Sequence, residues 1–303
     1  MGVWSTALYG GDAALDLRDE VKDLLRAPLD EDGLLAILRV RHPGLDETSD
    51  EDHADLWLAL ADQLHLHAVA APKALATARA IIDGGLDLDV KRGLGMSEAD
   101  LKKRAKILDA LAAKWATPHP KPTKRKVQDK PEALLFEAGD CLAYPVSPGG
   151  AAINPYFASA EKDPSWTPGG YGAAVVLARG LYCGVFAWYA VARLALTSAE
   201  PPTLAACAGA QVDSQSSPLA AQLQEQPELS IAAGRLPPNH AKRLRLATVG
   251  RLAVDEKAVR EDLAAVFAPD FTPAPSLADA LSAWGTRAPS SIPVARYANQ
   301  RSP

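Results

Sequence analysis

Between residues 12 and 115 apolar side chains recur every three or four positions, broken by short polar or prolyl stretches. This spacing predicts five helices joined by short loops. In the first, Leu17, Val21, Leu24 and Leu25 share a face, Asp12 is the expected N-cap and Pro28 follows the end. The second, from Asp30 to Arg41, carries Leu34, Leu35 and Leu38 and stops before Pro43. Ser49 and Asp52 have the spacing of a capping box ahead of a third helix with Trp57, Leu60, Ala61 and Leu64 on one side. Pro72 opens a fourth, with Gly84-Gly85 as its left-handed stop, and a fifth follows Ser97 with Leu101, Ala105, Leu108 and Ala112 in step.

After Trp115 the pattern changes. TPHPKPTKRKVQDKP has the proline content of a stiff connector and holds Lys121, Lys124, Arg125, Lys126 and Lys130. Beyond Pro131 come short apolar runs of strand character: ALLFEAGDCLAYPV, YGAAVVLARG, LYCGVFAWYAVARLAL and KRLRLATVGRLAV, with Gly139-Asp140 and Gly180 as turns. A helix with Val259, Leu263, Val266 and Phe267 on one face closes this half. The predicted class is α+β. A helical domain (1–117) and a basic linker (118–131) precede a β-rich domain (132–268), a curved sheet or partial barrel with a covering helix. A loosely attached tail (269–303) ends the chain, with one short helical turn from Leu277 to Trp284.

Composition narrows the function classes. With 48% hydrophobic and 23% charged residues over 303 positions, the chain has the make-up of a globular protein of two domains. A net charge of −5 gives no global reason to bind nucleic acid. No run of about 18 apolar residues occurs, and acids stand where a secretory signal needs an apolar core. Cys141, Cys183 and Cys207 are odd in number and flanked by apolar residues, which points to buried reduced thiols. Together these features predict a cytoplasmic protein without membrane contact.

The candidate chemistry is sparse. Gly2 and Thr6 fit a myristoylation pattern, and Gly10-Gly11 precede a helix as in a phosphate loop. Neither holds up: Trp4 crowds Gly2, and no GxxxxGK[ST] follows. The preferred reading is a plug, in which Trp4 and Tyr9 fold back on the helices through the glycine turn. His65 and His67 are two apart, whereas a helical zinc pair needs i, i+4, so no metal is expected. Asp62 and His65 have the i, i+3 spacing of a local hydrogen bond. No nucleophile elbow, kinase signature or Rossmann fingerprint is found, and no cofactor is expected. The longest loop, SPGGAAINPYFASAEKDPSWTPGG, carries Tyr156, Phe157 and Trp166, with Tyr171 just after it. These four rings are the candidate partner-binding residues, the alternative being that they cap the sheet.

Two resemblances add to this. Met1, Gly2, Trp4, Tyr9, Asp12, Ala14 and Asp16 resemble the start of an uncharacterised bacterial domain family that opens Met-Gly-x-Trp-Gly, with Ser5 in place of the second glycine. That family brings no established activity. Gly139, Asp140, Pro145, Gly170, Tyr171 and Gly172 resemble the Gly-Asp start and Gly-Tyr-Gly return strand of an immunity-protein family of bacterial polymorphic toxin systems, with Val146 in place of leucine. The second resemblance implies a protein that binds and blocks a toxin. The expectation is thus a non-enzymatic protein-binding protein, engaging its partner through the aromatic loop or an acidic face around Asp46 to Asp55. The alternatives are a hydrolase or nuclease whose site forms only in the fold, and a nucleic-acid adaptor using the basic linker.

Overall fold

The structure, a computed structural model, describes residues 5–154, 166–216, 228–229, 231–268, 271, 273, 277, 281 and 286–298. The chain divides into two compact units, Met1–Asp129 and Lys130–Pro303. The architecture is α+β: helices build the first unit and an open antiparallel sheet the second.

The first unit holds α1 (Asp12–Leu24), α2 (Glu31–Arg41), α3 (His53–Leu66), α4 (Pro72–Asp83), α5 (Leu86–Gly93) and α6 (Glu98–Trp115). The apolar faces read from sequence are the buried ones: Leu17, Val21 and Leu24 in α1, Leu34, Leu35 and Leu38 in α2, Leu101 and Leu108 in α6. Asp30 and Ser97 cap α2 and α6 by accepting from the Gly33 and Asp100 amides. Two expected caps do not form. Asp12 is the first helical residue after Gly11, and its side chain caps nothing. The Ser49 hydroxyl donates to Glu47, and α3 begins only at His53, after Asp50 has accepted from the Asp52 amide. Helix α5 was not expected, and the residues it buries are Asp87 and Lys91.

Those two residues belong to a charged centre. Arg104 of α6, 1% exposed, donates twice to Asp87, at 3.0 and 2.7 Å, and once to Asp55 of α3, at 2.8 Å. Lys91 pairs with the other oxygen of Asp55. The remaining Arg104 nitrogen donates to the carbonyls of Ala7 and Thr6, at 2.8 and 3.3 Å, and thereby fixes the N-terminal segment. Beside it, Tyr9 donates to Asp62 at 2.9 Å and accepts from Gln63 at 2.7 Å. Residues 5–10 therefore pack back on the helices, whereas Gly2 and Trp4 lie outside the described residues. Asp62 also takes Lys114, at 2.7 Å, so the expected Asp62–His65 bond is replaced by two others.

The basic stretch read as a linker is, through residue 128, strapped to the helical unit. Arg125 donates to the carbonyls of Leu25, Ala27 and Leu29, satisfying the chain that leaves α1. The Thr123 and Gln128 amides donate to Leu66 and Arg26. His65 Nε2 lies 2.8 Å from the Thr117 carbonyl and His67 Nδ1 3.1 Å from that of Thr123. Burial, aided by nearby Arg125 and Lys22, holds the His67 imidazole below its ordinary pKa, against the pull of the Thr123 carbonyl. A base with a depressed folded pKa favours folding fully above its ordinary value of about 6.5, and loses that contribution as pH falls below it and through the lowered folded value. Exchange of the Thr123 amide, corrected for intrinsic rate, should accordingly be faster at pH 5.5 than at pH 7.5. His67→Gln should flatten that difference; an unchanged pH response in the variant would refute the assignment.

The second unit contains β1 (Asp140–Val146), β2 (Gly170–Tyr182), β3 (Phe186–Ser198), α7 (Leu204–Gly209), β4 (Gln211–Ser216), β5 (Glu228–Leu229) and β6 (Ile231–Arg235). After these come α8 (Pro238–Arg243), β7 (Ala247–Arg251), α9 (Glu256–Asp262) and β8 (Thr286–Pro293). The sheet order is β5-β4-β3-β2-β1-β7, with β6 also on β3 and β8 on β4. Alternate residues feed two cores. Leu142, Tyr144, Ala174, Val176, Tyr189 and Val191 face one side, and Cys141, Ala173, Val175 and Leu194 the other. Burial on both faces explains why these strands read as unbroken apolar runs rather than alternating ones.

Several expectations for this half are corrected. Gly180 lies inside β2 opposite Trp188, and the hairpin turns after Tyr182 instead. KRLRLATVG is not all strand: α8 ends at Arg243, Arg245 turns with φ +54°, and the strand starts at Ala247. The tail is not loose in its described residues. Thr286–Pro293 pairs with β4, and Leu277, Leu281, Val294 and Tyr297 are buried; Trp284 lies outside the described residues. Of the cysteines, Cys141 and Cys207 are buried but Cys183 is only partly so.

Candidate functional site

At one end of the sheet, the end of β1, the start of β2, the chain leaving β3 and the start of β7 enclose a cleft of about 740 Å³. Its walls include Trp166, Tyr171, Pro145, Pro168 and Pro201, with Arg245 at the β7 side. The volume is within the range of ligand sites, and rings and prolines offer apolar area at low entropic cost because few torsions are frozen. Trp166, partly buried, is anchored by its indole N–H, which donates to the Ala151 carbonyl at 3.1 Å. Tyr171 is partly buried and pairs with Pro145 across the β1–β2 ladder.

The strands meet here because the backbone passes very close. Gly170 has φ +148°, and a Cβ at this position would stand 2.6 Å from the Ser198 carbonyl oxygen of β3. Gly172 lies under the Tyr144 ring. At the other end of β1, Asp140 accepts from the Glu137 amide at 2.8 Å and pairs with Arg251 of β7 at 2.7 Å. The residues that carried the second resemblance thus hold β1 between β2 and β7, and Pro145 and Tyr171 face the cleft.

A smaller cavity of about 200 Å³ lies beside Tyr144 and Gly172, whose positions alternate with those of Pro145 and Tyr171. It contains the buried Arg193–Asp213 pair, at 2.8 Å. Among the described residues no cluster of three or more His, Cys, Asp or Glu is arranged to hold a metal ion.

Of the four rings expected to bind a partner, Trp166 and Tyr171 share the cleft, and Tyr156 and Phe157 lie outside the described residues. The acidic stretch from Asp46 to Asp55 is partly spent inside the helical unit. Asp46 pairs with Arg39 at 3.0 Å, and Asp55 is buried with Arg104 and Lys91. Tyr9 serves the N-terminal packing, while Asp12 and Asp16 are exposed on α1. Sequence reading missed Arg245; the only signal was its place in the KRLR run. Among the described residues no helix is long and apolar enough to cross a membrane. No family model, curated protein or solved structure matches the chain.

Proposed function

We propose that this chain is a non-enzymatic, cytoplasmic protein-binding protein of the bacterial toxin-immunity kind, and that the cleft of the second unit receives its partner. The observation that carries the reading is the joining of Trp166 and Tyr171 with three prolines in one cleft whose charged wall residue is an arginine. Tryptophan, tyrosine and arginine are the side chains that most often dominate binding energy at protein interfaces. The six residues resembling the immunity family add support, since they hold β1 and β2 at this cleft and three of them, Pro145, Gly170 and Tyr171, line it. On this reading the helical unit is a companion domain, and no chemistry is assigned to it.

The test is site-specific cross-linking. With Tyr171 replaced by a photo-activatable phenylalanine analogue, irradiation of the source cells should yield one dominant protein adduct. Trp166→Ala should weaken that complex by roughly tenfold or more, the loss of about 1.4 kcal/mol. A control with the analogue at the exposed Lys257 should stay unlinked. Adducts no more abundant at position 171 than at 257 would reject the proposal.

A further inference from the structure

We infer that Cys141 of β1 and Cys207 of α7 form a redox pair, which closes to a disulfide when the protein meets a peroxide and opens again with a dithiol reductant. The inference goes beyond the reading of the cleft and does not rest on it. Sheet order places β1 between β2 and β7, and α7 touches both of these strands, so the helix lies across β1. Its approach is close. Cys141 pairs with Gly250 of β7, where a Cβ would stand 2.9 Å from the Leu204 side chain of α7. Leu204 and Cys207 have the i, i+3 spacing on that helix and therefore share the face turned to the sheet. Cys141 and Cys207 accordingly belong to one core cluster with Ala173, Val175 and Leu194, and both are fully buried. The two thiols hydrogen-bond to each other.

Two cysteines bridge without large backbone movement only when their Cα atoms lie within about 7 Å. Thiols that already touch need little more than side-chain rotation to bond. Cys183 has no such neighbour in Cys141: it follows the end of β2, whereas Cys141 pairs with Val175, about 26 Å back along the strand.

The two thiols differ in role. Their hydrogen bond lowers the Cys207 pKa, and the same bond, together with burial, raises that of Cys141. The thiolate is the nucleophile, so Cys207 reacts first. Its cover is thin, because α7 spans only Leu204–Gly209 and exposes Ala205 and Ala206. Local opening of this one turn admits a small oxidant. The Cys207 thiolate attacks hydrogen peroxide, the O–O bond breaks, and the hydroxide that leaves takes up the proton Cys207 gave, forming water. The Cys141 sulfur then attacks the resulting sulfenic acid; the S–S bond forms as the S–O bond breaks, and the oxygen departs with the Cys141 proton as a second water. Two thiols lose two electrons and one peroxide gains them. The bond tethers α7, which follows the cleft-wall residues Ala199 and Pro201 in the chain.

Treatment of the native full-length protein with hydrogen peroxide tests this. The intact mass should fall by about 2 Da, with Cys183 alone left to alkylate in denaturant, and a peptide map should join Cys141 to Cys207. Amides of residues 203–209 should exchange more slowly. The melting temperature should rise by roughly 5–10 °C, and dithiothreitol should reverse every change. Cys183→Ser should respond alike, whereas Cys207→Ala should lose both the mass change and the shift in melting temperature. Three thiols still free after excess peroxide would overturn the inference. So would dimers linked through Cys183, sulfinic acid at Cys207 with Cys141 still open to alkylation, or a bridge that forms only in denaturant.

Discussion

Arg104→Met should destabilise the helical unit by about 3–5 kcal/mol, the range seen when one partner of a buried ion pair is removed. Asp87 is fully buried and Asp55 nearly so, and both accept from Arg104. Methionine fills similar space but donates nothing, so Asp87 would keep its buried charge and lose both bonds from Arg104, while Asp55 keeps Lys91. The carbonyls of Thr6 and Ala7 would lose their donor as well, freeing the N-terminal segment. A melting temperature lower by roughly 10–20 °C follows for a unit of this size. Far-ultraviolet circular dichroism of the full chain would record it, since the helices dominate that signal. Adding Asp87→Asn to Arg104→Met should recover part of the loss, because the second change removes the unpaired charge. A single-variant cost below about 1 kcal/mol would show that the charged centre is not what holds α3, α5 and α6 together.

The same centre explains what sequence could and could not reveal. Helices α1, α2 and α6 were legible because they bury Leu, Val and Ile-type faces at helical spacing, which is the property periodicity detects. Helix α5 buries Asp87 and Lys91, so its inward face looks like a solvated one until the partners on α3 and α6 are known. Arg125 misleads in the same manner. In a run of lysines it reads as a solvated linker residue, but three carbonyls near the end of α1 fix it in place. Alternation of Leu244 and Leu246 with Arg243 and Arg245 mimics a strand, although Leu244 is the C-cap of α8 and is wholly buried. The cleft was half legible. Trp166 and Tyr171 are close in sequence, whereas Arg245 joins them only because β7 pairs with β1, a contact between distant segments. Short polar strands such as β4, QVDSQS, carry no apolar signature and are fixed by their neighbours.

Gly139→Ala should unfasten β1 from β7, at a cost of about 2–3 kcal/mol to the second unit. Gly139 has φ +91°, where a Cβ costs an L-residue roughly 1–2 kcal/mol before any neighbour is considered. Here that Cβ would also stand 2.0 Å from the Leu252 carbonyl oxygen, too close for either backbone to stay in place. Relief requires the two segments to separate, which stretches the bond from the Leu252 amide to the Gly139 carbonyl, now 2.9 Å, at about 1 kcal/mol more. Asp140→Ala tests the neighbouring half of the motif. It releases the Glu137 amide and Arg251 but adds no clash, so its effect should be the smaller of the two. Hydrogen exchange separates these outcomes from general unfolding: amides of β1 and β7 should exchange faster in Gly139→Ala while those of α3 and α6 keep their rates. Equal protection of β1 in the variant and the parent would mean that the glycine is dispensable. The Gly-Asp pair would then owe its place to something other than the bend that lets β7 close against β1, and the cleft at the far end of β1 would have to be built without it.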